Sequence, residues 1–255
     1  MTPATATGRT LTWLGHATAL IEVRGARILT DPLLRPRLAH ITRRVPPVAP
    51  ASLGGVDGIL ISHVHLDHLD RPTLRALGSS VPIIAPRGAA ASLRGLGPVH
   101  ELDVGETATL AGVEVTATPA VHSARRRGRR VPALGYVVDR DLYFAGDTDR
   151  FDAMAELAPL ELALVPVWGY GPTLGPGHLD PQRAAEATAV LRPRVAVPIH
   201  WGTYFPFPLG LRGHPLLHQP PRAFAARAAV LAPATEVVVL EPGGRLELRP
   251  RVASP

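Results

Sequence analysis

Four short apolar runs in this chain each lead into a histidine or an aspartate, and that recurrence constrains the fold more than any other feature. Gly58-Ile59-Leu60-Ile61-Ser62 runs into His63-Val64-His65-Leu66-Asp67-His68, and the run closing at Thr118 is followed by His122. Tyr143-Phe144-Ala145-Gly146 leads to Asp147, and Ala196-Val197-Pro198-Ile199 leads to His200. An apolar run of about four to eight residues bounded by turn residues suits a strand buried on both faces. Ligands of such sheets gather beyond the carboxyl ends of the strands. The pattern therefore predicts imidazoles and carboxylates converging at one sheet edge.

The rest of the chain fits that frame. Residues 11–14, 19–23 and 27–30 read as an antiparallel meander turning at Arg24-Gly25. Strands are expected at 58–62, 81–85, 107–110, 113–118, 134–139, 141–145, 162–167, 195–199, 236–240 and 245–248, and helices at 72–77, 88–96, 151–157 and 222–231. Asp180 followed by Pro181 is an N-cap with a first-turn proline, opening a further helix to Leu191. Meanders followed by strand–helix alternation, twice over, predict an α/β (α+β) two-sheet sandwich covered by helices. We read residues 8–250 as one domain with short flexible tails at 1–7 and 251–255. Loops 168–177 and 204–221 are Gly/Pro-rich and long enough to be lids or binding loops.

The chain has no cysteine, which excludes a disulfide scaffold, a thiolate nucleophile, Cys-ligated zinc and an iron–sulfur centre. Any transition metal must be held by His, Asp or Glu. His63 and His65, two apart in extended chain, point the same way and can clamp one ion. Once the chain turns, Asp67 and His68 can serve a second. We therefore assign His63, His65 and His122 to one ion, Asp67, His68 and His200 to another, and Asp147 to the bridge. A carboxylate can span two cations, whereas one imidazole nitrogen binds only one. Ions about 3.5–4 Å apart share a water and lower its pKa. An imidazole-rich set with some carboxylate suits zinc, with manganese or iron as alternatives. The expectation is two divalent ions per chain.

The net charge is +6, from 27 basic and 21 acidic residues, and every formal cation is Arg. Interleaved acids argue against a nucleic-acid partner. The exception is Arg125, Arg126, Arg127, Arg129 and Arg130, read either as a solvated loop or as a site for an anionic substrate. The first residues lack a basic start and an apolar core, and no apolar run approaches the roughly 18 residues of a membrane span. The expectation is a cytoplasmic protein without a transmembrane segment.

Together, His63 to His68, His122, Asp147 and His200 resemble the HxHxDH motif, third His, bridging Asp and last His of the metallo-β-lactamase superfamily. WLGHATALIEV with ILTDP, FAGDTD, GHLDP and IHWGTY look like N-acyl-phosphatidylethanolamine phospholipase D and its bacterial relatives, with the ascorbate-6-phosphate lactonase group as a cousin. The resemblance implies a four-layer αββα sandwich and a dinuclear metal-dependent hydrolase using a metal-bound hydroxide on a small-molecule or phospholipid-like ester. A phosphodiester is favoured. The alternatives are a lactonase or esterase acting on a phosphorylated small molecule, and a non-catalytic metal- or nucleic-acid-binding member. True β-lactamases carry Cys or His where Asp147 stands, so antibiotic hydrolysis is not implied.

Asp67, Asp147 and His178 are the expected catalytic groups. His178 stands where the phospholipase branch keeps an active-site His that is not a ligand. Asp31, just after a strand, is expected to orient a metal-bound His. His16 is expected at the cleft rim, and Trp168 and Tyr170 as pocket walls.

Overall fold

The computed structural model describes residues 8–126, 128–209 and 213–250. The tails and Arg127 lie outside the described residues. Two seven-stranded sheets form the centre. The first runs, edge to edge, Arg245–Leu248, Arg9–Gly15, Thr18–Val23, Ala26–Thr30, Gly58–Leu60, Ile83–Pro86 and Val99–Leu102. The second runs Glu236–Val237, Pro193–Ile199, Leu160–Pro166, Leu142–Phe144, Leu134–Val138, Val113–Pro119 and Thr107–Leu110. Each sheet joins an antiparallel meander to a parallel half. The meander-then-alternation pattern of the sequence has this origin.

Period-two alternation sorts the side chains into layers. Ile28, Leu60 and Ile84 point into the core shared with the second sheet. Their neighbours Leu29, Ile59 and Ile83 point the other way, toward helices α1 (Arg71–Leu77) and α2 (Ala90–Leu93). On the far side, α3 (Pro181–Leu191) and α4 (Gln219–Leu231) cover the second sheet through Ala184, Leu191, Phe224 and Ala228. The result is the αββα sandwich.

Capping follows the sequence. Asp180 Oδ1 accepts the Arg183 N–H at 2.8 Å to open α3, with Pro181 in the first turn. Asp70 does the same for α1 and is held by a bidentate Arg35 at 2.7 and 2.9 Å. The turn between strands Leu134–Val138 and Leu142–Phe144 places Asp139 and Arg140 at φ 49° and 70°, as a type I′ hairpin requires.

Several segments differ from expectation, among them the helix expected at 88–96, which is reduced to Ala90–Leu93, and the strand expected at 236–240, reduced to Glu236–Val237. Residues 152–157 form a 3-10 helix rather than an α-helix, and Val99–Leu102 adds an edge strand. Residues 204–221 contain the strand Tyr204–Pro206, which joins Arg37–Leu38 and Ile41–Arg43 in a small three-stranded sheet, and α4 begins at Gln219. The arginine segment is a hairpin, Ala124–Arg126 against Arg129–Val131, anchored because Ala124 and Val131 are buried beneath it.

Candidate metal centre

Strands Gly58–Leu60, Leu142–Phe144 and Pro193–Ile199 lie in the parallel halves and lead to His63, Asp147 and His200. Val113–Pro119, two antiparallel steps from Leu142–Phe144, runs the same way and leads to His122. Arg9–Gly15, two antiparallel steps from Ala26–Thr30, likewise leads to His16, and Ala26–Thr30 leads to Asp31. The side chains therefore meet at the carboxyl edges of both sheets.

They form two groups. In the first, His65 Nδ1 lies 3.0 Å from His63 Nε2 and 3.1 Å from His122 Nε2. In the second, His68 Nε2 lies 3.1 Å from His200 Nε2, and Asp67 Oδ2 lies 3.0 Å from His16 Nε2. Asp147 stands between them. Its Oδ2 is 3.2 Å from His68 Nε2 and 3.9 Å from His63 Nε2, and its Oδ1 is 3.3 Å from His200 Nε2.

The surroundings fix which ring nitrogens carry hydrogen. His122 Nδ1 must donate to the Gly177 carbonyl at 2.9 Å, and His200 Nδ1 to the Trp168 carbonyl at 3.1 Å, because a carbonyl only accepts. His68 Nδ1 donates to Asp31 Oδ2 at 2.7 Å. Ser62 donates its hydroxyl to Asp31 and accepts from His63 Nδ1 at 3.0 Å. The Nε2 atoms of His63, His122 and His200 are left as lone pairs aimed inward. Asp147 Oδ1 faces His200 Nε2 as acceptor to acceptor; it is buried and without a hydrogen-bond partner among the described residues. A cation held between them satisfies that arrangement.

Charge says the same. Asp31, Asp67 and Asp147 are all buried. Burial works to raise the Asp147 carboxyl, but the His200 and His68 rings and the hydrogen bonds from His178 and His68 outweigh it and hold the pKa well below the carboxylate range. Burial likewise opposes charge on His68, yet Asp147, Asp67 and Asp31 push its pKa well above 6.5. A proton on His68 thus takes the place of a cation among three carboxylates. Burial lowers His63, His65 and His122, and takes His200 down to about 3, so these four are neutral donors at pH 7. The residues fit a divalent metal.

Backbone strain serves the same edge. His16, Asp31 and His200 hold φ of 55°, 30° and 63°, which costs non-glycine residues about 1–3 kcal/mol each. The first and last are tied together: His200 N–H donates to the His16 carbonyl at 2.9 Å, and His16 N–H to Thr203 Oγ1 at 2.6 Å. At Gly146 a Cβ would stand 2.5 Å from Ser62 Cβ, so only glycine lets the Asp147 strand end approach. Val121 is bonded to Thr148 and Asp149, which draws His122 toward Asp147.

A cleft of about 600 Å³ opens over the cluster, walled by Tyr170, His178, Arg125 and Arg126 and floored by Asp67 and Asp147. His178 Nε2 lies 3.4 Å from Asp147 Oδ2, and its Nδ1 donates to the Gly175 carbonyl at 3.0 Å. Arg126 Nη1 reaches the Val64 and Leu69 carbonyls at 3.1 and 3.0 Å, strapping the His63–His68 loop. The Trp168 indole turns away to the Gly171 carbonyl, so its backbone oxygen is the part that meets the site. His16 lies deeper than the rim, and Ser62 and Gly177 are partners that sequence reasoning passed over. Gly15-His16 following a strand was the available signal for His16.

Residues 26–201 match the beta-lactamase superfamily domain. The chain is 32% identical over 252 residues to a UPF0173 metal-dependent hydrolase of Methanopyrus kandleri, covering 93% of this chain and 99% of that protein. It is 31% identical over 226 residues to the N-acyl-phosphatidylethanolamine-hydrolyzing phospholipase D 1 of Caenorhabditis elegans, covering 76% of this chain but 64% of that protein's length. Among solved structures it is similar to Igni18, a metallo hydrolase of Ignicoccus hospitalis, with a TM-score of 0.74 and 27% identity over 96% of this chain and 100% of that one. The chain therefore belongs to the beta-lactamase superfamily domain family, as one of its metal-dependent hydrolases.

Proposed function

We propose that the enzyme hydrolyses phosphodiesters, with His63, His65 and His122 holding one zinc ion, Asp67, His68 and His200 a second, and Asp147 touching both. The observation that carries this reading is the meeting of two arginines, Arg125 and Arg126, with His178 on the walls of the same cleft that exposes the cluster. Two such ions supply an activated water and neutralise charge developing on a phosphoryl oxygen. Guanidinium groups at the wall pair with the substrate anion. Burial disfavours charge on His178, but its bond to Asp147 raises its pKa and so favours a proton on Nε2, the proton a general acid delivers to the leaving oxygen. Asp147 holds that ring in place. Tyr170 walls the cleft, and no helix among the described residues is long and apolar enough to cross a membrane.

The test is turnover of bis-p-nitrophenyl phosphate, a phospholipid and a lactone at fixed metal content. Phosphodiester cleavage is expected, with Asp147→Ala lowering it by about a thousandfold or more and reducing bound metal. Cleavage of the lactone alone would replace this reading with the lactonase one, and no turnover of any ester would favour a metal-binding protein without catalysis.

A further inference from the structure

A second cleft, of about 570 Å³, lies on the other side of the arginine hairpin. Three elements line it with guanidinium groups: Arg71 and Arg75 from α1, Arg94 just after α2, and Arg126 and Arg129 from the hairpin. Arg71 and Arg75 are four apart and share a helix face. Arg126 and Arg129 are cross-strand partners on the face shared with buried Ala124 and Val131, which turns them toward the helices.

Among the described residues no carboxylate lines this cleft. Several arginines outside the cleft are paired with carboxylates: Arg87 with Asp103 and Glu106, Arg140 with Glu114, Arg194 with Glu161. In the cleft, Arg75, Arg94 and Arg129 engage no carboxylate among the described residues. Glu101, the acid bonded beside the cleft, is taken by the Gly88 and Ala90 N–H groups at 2.8 and 2.7 Å. Arg71 is fixed on the Ser92 and Arg94 carbonyls and Arg126 on those of Val64 and Leu69. Two guanidinium groups are thus preorganised and three remain to close on a ligand. Gathering like charges is unfavourable unless a counter-charge sits among them.

We propose that this second cleft is a binding site for a phosphate group, distinct from the metal centre. A guanidinium fork matches phosphate oxygens in a bidentate way. Arg126 lines both clefts, so the phosphate sits beside the catalytic one. It is either free phosphate or a second phosphate on the substrate; only the latter source rests on the phosphodiesterase reading.

Calorimetric titration of the metal-loaded protein with inorganic phosphate at low ionic strength tests the site without turnover. One binding event should weaken about tenfold or more in Arg75→Gln/Arg129→Gln. It should persist in Arg192→Gln/Arg222→Gln, which removes the same charge from another face. Identical titrations of all three proteins, or tighter binding of a single-stranded RNA oligonucleotide than of phosphate at the same arginines, would overturn the proposal. Kinetics then separate the sources. If the phosphate is part of the substrate, the variant raises KM for a phosphodiester carrying a terminal phosphate but not for bis-p-nitrophenyl phosphate, with kcat unchanged. If it is free phosphate, neither KM moves while the calorimetric loss stands.

Discussion

The two halves of the candidate metal centre are built differently. His16, Asp67, His68 and His200 are all buried, and a carboxylate, Asp31, backs His68. His63 is buried too, but its companions His65 and His122 are only half-buried, and the backing groups are a hydroxyl and the Gly177 carbonyl. Burial and an anionic partner strengthen a ligand and slow its loss, whereas neutral partners on loops do neither to the same degree. The deep half should therefore retain an ion that the shallow half exchanges.

The largest test of this contrast is a pair of variants. His200→Ala should empty the deep half and lower turnover about a thousandfold, whereas His65→Ala should keep close to one ion per chain by metal analysis. Equal metal loss in both would erase the distinction. Asp31→Asn comes next: competitive chelation should show an affinity loss of about 10- to 100-fold for the deep ion. Ser62→Ala, which frees His63 and removes one of the hydrogen bonds to Asp31, should cost less and act mainly on the shallow ion.

The smallest effect is in the stability of the metal-free protein against pH. Burial lowers the pKa values of His63, His65, His122 and His200, while carboxylates raise those of His68 and His178 against the effect of burial. Below about 6.5 the unfolded chain binds protons that the four lowered imidazoles refuse, so stability falls as pH falls. Above it, folded His68 and His178 keep protons the unfolded chain has released, so stability falls as pH rises through their raised values. Denaturation midpoints should peak near pH 6.5, and metal, by replacing the proton on His68, should flatten the alkaline side. A monotonic profile would mean the two histidine classes do not exist.

The residues of the cluster were legible because buried strands are continuous apolar runs and a polar group at their ends stands out. His63, His122, Asp147 and His200 all had that signature. His16 follows the same rule, yet its strand belongs to the meander, where a histidine after a turn glycine reads as a rim residue. Its depth depends on Thr203 and His200, about 185 residues away in sequence, and no local pattern encodes that contact. Val99–Leu102 escaped because VHEL is short and half polar, an edge strand in which only Leu102 is buried. The arginine hairpin escaped because its charge hid a period-two frame whose only apolar markers are Ala124 and Val131.

The Arg126 guanidinium spans both ends of the loop bearing His65, Asp67 and His68. An anion that pulls on it would change the energy of the loop that presents those ligands. Thermodynamic reciprocity then applies: whatever factor phosphate imposes on metal affinity, metal must impose on phosphate affinity. The hairpin would make the enzyme's metal content a reporter of the anions around it.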